Sequence, residues 1–567
     1  MQRLLTTILA AAFLTLTGCT EMKREDLFNK YTDGAQLIVN TDVLRNVLTI
    51  QAINANPIAE MPIPQGLQIE VSGPSRAEVF SMDGKSSLAP FDGLMEIGID
   101  KTRPISSSNP VDLTFSATAP GFLPATYRFI VTDTFFSMPT LHLIALDDLP
   151  AGVDFVEGTV PVEPELGVFS PITYTTPLFS DKPESAALTF QGGTLVYDEN
   201  GQPLTGDLQL EYLHFGNREA ATVAAFPGGT FAAAALAADG SPMGPVNFAP
   251  AGWFNISLKA GARHAKSFSE PVEATMELNP NTINPNTGEP IRAGDQIPIW
   301  SRDEGSAAWS MEGLATITSF GEGPLSITFG ISHLSDWAAA FSLGESCSTG
   351  APIVVNFETP YPTLLDAPYS IIQFVDQISG QVVARPQWAR MVDGTKAVVY
   401  GLPANRVLTA QVVTSFNPLC SEVLYTSAPF LSVCNGSALV STRAYTQPNT
   451  LTVEARFSAV CPSAGDEVLI RPEALVYYKE TGCPHLTLLT YINRGRFLTD
   501  RLVRNQTYDF TVYFNGERYE FSDITVATTE LDIDDYTLRI DLDGDFASFI
   551  FENVKLDPEF CGLLLGE

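Results

Sequence analysis

Whatever chemistry this chain carries must come from acids clustered near its end, scattered histidines and cysteines, and tryptophans gathered in its middle. Asp541, Asp543, Asp545 and Glu552 fall at positions one, three, five and twelve of a calcium-loop pattern. Gly544, however, stands at position four, where such a loop needs its glycine at six. The alternating stretches on either side read as a hairpin turning at Asp543-Gly544 with solvated acids. No cofactor is therefore implied, with calcium at Asp541, Asp543 and Asp545 as the alternative. The histidines at 142, 214, 264, 333 and 485 show no zinc-ligand spacing. His333 and Asp336 make an acid–base pair only if they face each other, which their spacing does not require, so a structural His333 is the plainer reading. There is no Gly-x-Ser-x-Gly elbow and no phosphate-cradling glycine motif. With 65 acidic residues, any carboxylate pair picked from the sequence for glycoside hydrolysis is uninformative. Trp300, Trp309 and Trp337, close to Trp253, are a candidate sugar-stacking surface; packing in a core is the competing reading, because large aromatics dominate core burial. No catalytic residue is assigned.

The elements that must position these groups are strands. The 567 residues are 45% hydrophobic and only 17% charged, with 42 Gly and 40 Pro, a mixture suited to many short strands and turns. Period-two alternation recurs throughout, and sustained helical periodicity is scarce. Length alone suggests roughly four domains. Residues 36–150 open with Gln36–Val43 and continue through Val47–Ile53, Leu67–Val71, Leu94–Ile99, Val111–Ala117, Tyr127–Val131 and Leu141–Leu146, the pattern of an antiparallel sandwich. Asp148–Gly152 marks a joint. Residues 151–345 form a β-rich middle unit in which Asn200-Gly201 predicts a type I′ hairpin turn. Residues 346–460 and 461–567 are expected to be two further sandwiches. The balance of 32 Lys+Arg against 65 Asp+Glu, a net charge of −33, excludes a nucleic-acid partner, which needs clustered cations.

The start of the chain reads as an export signal. Met1-Gln2-Arg3 precedes an apolar stretch from Leu4 to Leu16, too short for a permanent membrane span. Leu16-Thr17-Gly18-Cys19 resembles a bacterial lipobox. The resemblance implies cleavage before Cys19 and a lipid on that cysteine, with residues 1–18 the signal peptide and 19–35 a lipidated tether. Cleavage would remove only Arg3 and leave a net charge of −34. Thr20, standing where an inner-membrane retention signal has Asp, directs the expectation to the outer membrane or surface of a Gram-negative-type bacterium. The remaining cysteines, Cys347, Cys420, Cys434, Cys461, Cys483 and Cys561, all lie in the last part of the chain. In an exported protein they read as disulfide partners in any of 15 connectivities, free or metal-bound thiols being the alternative.

Two stretches carry further resemblances. Gly294–Ile317, with Trp300, Trp309 and Glu312-Gly313, followed by His333-Leu334-Ser335-Asp336-Trp337, resembles a β-domain of bacterial surface lipoproteins and, more distantly, of cartilage intermediate layer proteins. This implies a noncatalytic extracellular module and assigns no ligand residue. Gly401-Leu402-Pro403 before an alternating strand is similar to a turn of prealbumin-like and carboxypeptidase-regulatory-like sandwiches. The series Gly394, Leu402, Asn405, Leu408, Val412 is echoed by Gly495, Leu502, Asn505, Tyr508, Val512, as if a unit were duplicated. The expected architecture is all-β: tandem antiparallel Ig-like or prealbumin-like sandwiches behind a lipoprotein signal. The expected function is a noncatalytic binding, adhesion or spacer module, attached to a membrane through its lipid and facing an extracellular glycan or protein. The alternatives are a secreted hydrolase acting on glycans and an envelope assembly component that binds a protein partner.

Overall fold

The computed structural model describes residues 37–561 apart from 41–43, 83–85, 101, 133–137, 180–181, 304, 320, 322, 364–368, 416, 418, 420, 445–449, 462–467, 472, 480–482, 515–516, 527–528, 534–535, 544–545, 557 and 559–560. The described chain is all-β, built of tandem, mostly antiparallel sheets packed in layers. Among the described residues, helix is limited to Ala220–Ala224, the short turn Arg76–Glu78 and single positions at Pro558 and Cys561, and no helix is long and apolar enough to cross a membrane.

In the first unit, the sheet running Val79–Phe80, Leu94–Asp100, Leu44–Asn54, Thr140–Ala145 and Phe122–Leu123 faces a sheet of Gln68–Ser72, Val111–Thr118 and Ala125–Val131. Ile50, Ile97, Leu113, Phe115, Phe129 and Leu141 fill the space between them, as the alternating sequence requires. Leu37–Asn40 does not join this sandwich, contrary to expectation. It pairs in parallel with Val468–Arg471, so the beginning of the described chain lies on a sheet of the last unit. Alternation marks a strand but does not say which sheet edge will take up its free N–H and C=O groups.

The middle unit is a 15-stranded sheet folded over itself. Its spine is Pro242–Ala260, buried on both sides from Pro245 through Ile256 because each face is covered by a different core. Val246, Phe248 and Trp253 face one core; Ala249, Ala251, Phe254, Ile256 and Leu258 face the other. The switch of phase sits at the register shift between Pro250 and Gly252, where a bulge adds one residue and so exchanges which alternate side chains face each core. At Asn200-Gly201 only Gly201 has positive φ, 70°, so the turn is not type I′. Asp198 Oδ1 instead accepts hydrogen bonds from the backbone N–H groups of Asn200 and Gln202, which shapes a longer loop.

In the third unit, one sheet holds Lys396–Val399, Ile353–Glu358 and Ser437–Ser441, and the other Val382–Arg390, Tyr369–Asp376, Val407–Val413 and Val423–Thr426. The last unit takes in Thr450–Val460, which pairs with Arg496–Val503 and Phe546–Lys555, so it starts before the boundary expected at 460. The two echoed segments have matching backbones. Gly394 and Gly495 adopt φ of 81° and 73°, Asn405 and Asn505 adopt 57° and 61°, and Leu402 and Leu502 are fully buried. Asn tolerates this left-handed region better than other non-glycine residues, which explains its recurrence at the turn.

Cys347 bonds to Cys434 and Cys461 to Cys561, and Cys483 is also disulfide-bonded. Cys19 and Cys420 lie outside the described residues. The Cys461–Cys561 bridge spans 100 positions and ties the two ends of the last unit, so it removes much freedom from the unfolded chain. Replacing both with serine is expected to destabilise this unit by about 2–5 kcal/mol. Denaturant unfolding followed by hydrogen exchange in the last unit checks this: equal protection in variant and parent would contradict it.

Candidate binding groove and buried ionic sites

A groove of about 690 Å³ opens where the first unit meets the middle one. One wall is the hairpin of Pro242–Ala260 and Arg263–Leu278, turned by Gly261 at φ 61°. Arg263, His264 and Lys266 are exposed along it, with Lys259 half-buried beside them. The opposite wall is apolar and half-buried, formed by Phe122, Leu123 and Leu146. At the base, Arg302 Nη1 donates to Asp336 Oδ2 at 3.2 Å, while Asn255 Nδ2 donates to Asp336 Oδ1 at 2.8 Å. Arg302 Nη2 crosses to the first unit and donates to the carbonyl of Thr126.

Three of the four carboxylates lining the groove are held by cations, and the fourth, Glu199, is exposed. Arg263 Nη2 lies 2.6 Å from Asp198 Oδ2, and Lys259 Nζ lies 2.7 Å from Glu211 Oε2. The Arg263 hydrogen bonds hold the Asp198 carboxyl below its usual range, helped by backbone N–H groups of its loop. Asp198 is therefore an ionised ion-pair partner at neutral pH, not a proton donor.

Of the two readings of the tryptophans, the structure shows the core. Trp300, Trp309 and Trp337 are each 1% exposed, and Trp253 is fully buried. Phe226 stacks on Trp309 at 5.1 Å between ring centroids, and Phe248 meets Trp300 edge-on at 5.0 Å. Trp300 Nε1 donates to the carbonyl of Ala340 at 2.9 Å, which satisfies its polar end. No face of these rings is left for a ligand.

His333 and Asp336 do not meet: Asp336 is taken by Arg302 and Asn255, while His333 Nε2 faces Glu312 at 3.6 Å and its ring packs on Trp337. Asp541 and Asp543 belong to the strand Tyr536–Asp543, but their side chains, and Asp545 as a whole, lie outside the described residues. Among the described residues no cluster of metal-binding side chains occurs.

Two buried sites had no local sequence signal. In the middle unit, Lys182 Nζ contacts Asp154 Oδ2 and lies 2.8 Å from His214 Nδ1, although these partners are 28 and 32 positions away. The other site joins the first unit to the last. Tyr477 donates to Glu96 Oε1 at 3.0 Å and shares a hydrogen bond with Thr49, while Gln51 Nε2 donates to the carbonyl of Leu486 at 2.7 Å. Nearby, Tyr513 donates to Asp92, which also pairs with Arg518. His142 and His485 are buried at the same junction.

The sequence matches no family model and no curated relative. Superposition on solved structures finds the Bacillus anthracis TIE protein at 9% identity, covering 72% of this chain and 77% of that one, with a TM-score of 0.13. A streptococcal ancillary pilin matches at 10% identity, 47% and 95% coverage and a TM-score of 0.12. The major pilin subunit of Bacillus cereus matches at 9% identity, 70% and 99% coverage and a TM-score of 0.12. Superpositions this loose carry no argument about the present chain, whose fold is read from its own strands.

The junction of first and last units should respond to pH. Burial pushes the Glu96 carboxyl up to about 8, against a smaller opposing pull from the Tyr477 hydrogen bond. Burial lowers His142 to about 3, aided by the charge of His485, and lowers His485 to about 4. The folded histidines refuse protons that the unfolded chain takes up below 6.5, so their contribution is present above that pH and lost as pH falls through about 4. Folded Glu96 keeps a proton that the unfolded chain releases above 4.5, so its contribution is present below that pH and lost as pH rises through about 8. Two histidines outweigh one carboxyl between these limits, so thermal stability of the junction should peak near pH 6.5. Glu96→Gln should flatten the alkaline limb and the His142→Asn/His485→Asn pair the acid limb in unfolding scans; unchanged limbs would refute the assignment.

Proposed function

We propose that this chain is a noncatalytic, lipid-anchored cell-surface binding module, tethered through Cys19 to the outer membrane and taking an acidic glycan in the groove between its first two units. The lipobox-like Leu16–Cys19 supports the anchor, and the polar stretch that follows supplies a tether. Binding without catalysis rests on one observation: of the four carboxylates lining the groove, Asp198, Glu211 and Asp336 are each paired with a cation, which leaves the exposed Glu199 without a second free carboxylate beside it. Glycoside hydrolysis needs one protonated carboxyl beside a second free carboxylate, and three neutralised carboxylates are poorly disposed for either role. Lys259, Arg263, His264, Lys266 and Asn255 offer donors to sugar hydroxyls and carboxylates, while Phe122, Leu123 and Leu146 offer an apolar surface to ring faces.

Glycan-array binding by the full chain tests the ligand. Retention of carboxylated sugars is expected, with Arg263→Ala and Lys259→Ala each weakening binding about tenfold, the equivalent of about 1.4 kcal/mol. Binding that ignores both substitutions would exclude the groove, and turnover of the bound sugar would restore the hydrolase reading. For the anchor, metabolic labelling with a fatty acid is expected to mark the parent and not Cys19→Ser, which should leave the membrane fraction; a membrane-bound, unlabelled parent would contradict lipidation.

A further inference from the structure

The buried ionic group of the middle unit is arranged for more than pairing. We propose that Lys182 and Asp154 are a self-modification site, at which Lys182 Nζ and Asp154 Cγ condense to an intramolecular amide with His214 as the catalytic base. Asp154 and His214 are directly opposed on the neighbouring antiparallel strands Val153–Glu163 and Gly206–Phe215, which aims both side chains at the same point. Lys182 reaches that point from the segment before Ala186–Phe190 and passes over Gly216. Nζ contacts Asp154 Oδ2, lies 2.8 Å from His214 Nδ1, and donates to the carbonyl of Glu184 at 3.1 Å. The side chains of Lys182 and Asp154 are 1% and 0% exposed.

These surroundings favour the forms that react. Charges removed from water at this depth cost several kcal/mol each even when paired, so transfer of one proton from the ammonium to the carboxylate is promoted by burial. The products of that transfer are a neutral amine, which is a nucleophile, and a neutral acid, which is an electrophile. Burial first, and then the charge that Lys182 carries before this transfer, hold His214 well below its ordinary range, so its imidazole is neutral, with Nδ1 2.8 Å from Nζ. The Nζ lone pair attacks Cγ. His214 Nδ1 removes a proton from Nζ and returns it to the departing Asp154 oxygen. The Nζ–Cγ bond forms, the Cγ–Oδ2 bond breaks, and one water leaves; nothing is oxidised or reduced. Well-oriented intramolecular partners reach effective molarities of roughly 10⁵–10⁸ M, which is what allows an amide to form without prior activation of the acid. Exclusion of water then protects the product from hydrolysis. The bond would fasten the first strand of the middle unit to the segment 28 positions later, at the joint with the first unit.

Peptide mass spectrometry of the full-length protein, reduced and digested, decides the matter. A branched peptide joining the segments that contain Asp154 and Lys182, lighter by one water than its two parts, is expected in the parent and absent in Lys182→Arg. Two linear peptides with unmodified Asp154 and Lys182 in the parent would overturn the proposal. His214→Gln should abolish the branched peptide or slow its appearance after refolding, and full, undelayed branching in that variant would overturn the role of His214.

Discussion

Arg302 holds together the two units on which the rest of the account depends. It is a nearly buried cation, its side chain 4% exposed, and it is tied to Asp336 on its own sheet and to the backbone of Thr126 in the first unit. Two nitrogens of this buried guanidinium donate on opposite sides of the joint, Nη1 to Asp336 and Nη2 to Thr126, while its Nε is buried without a partner among the described residues. The groove exists because this contact brings the apolar edge at Phe122 and Leu123 against the cationic hairpin at Lys259–Lys266. Similar polar contacts join other units: Asn247 donates to Ser346 and to the carbonyl of Gly401, and Tyr400 donates to the carbonyl of Ile130. The middle unit is thus linked by specific hydrogen bonds to the first and third, and the third also to the first, as well as by chain connections.

The N-terminal strand extends this linkage. Because Leu37–Asn40 pairs with Val468–Arg471, the start of the described chain lies on the last unit, and the first unit touches the last through Tyr477 and Glu96. Sandwiches arranged in this way return on themselves instead of forming a simple string. The two described disulfide pairs, Cys347 to Cys434 and Cys461 to Cys561, act within units on this frame.

Much of the fold was legible in the sequence, and the reasons are local. Alternation located Leu94–Asp100, Val111–Thr118 and Ala125–Val131, because side chains on successive residues must face opposite sides of a strand. The repeated Gly and Asn of the two echoed turns were readable because few other residues accept positive φ. The site was far less legible. Arg302 looks like any charged residue in a strand, and nothing near it announces Thr126. Trp300 and Trp309 have the composition of a sugar platform and the location of a core, a difference set by the layers that cover them. Lys182, Asp154 and His214 come together only through strand pairing, so no spacing rule could have joined them.

The central claim is that the groove built around Arg302 is where this protein holds its ligand. Hydroxyl-radical footprinting of the full chain with and without its bound glycan tests it most directly. The account predicts protection of Phe122, Leu123, Leu146 and His264, with no change at the buried Trp300 and Trp309. Protection confined to residues away from this groove would contradict it.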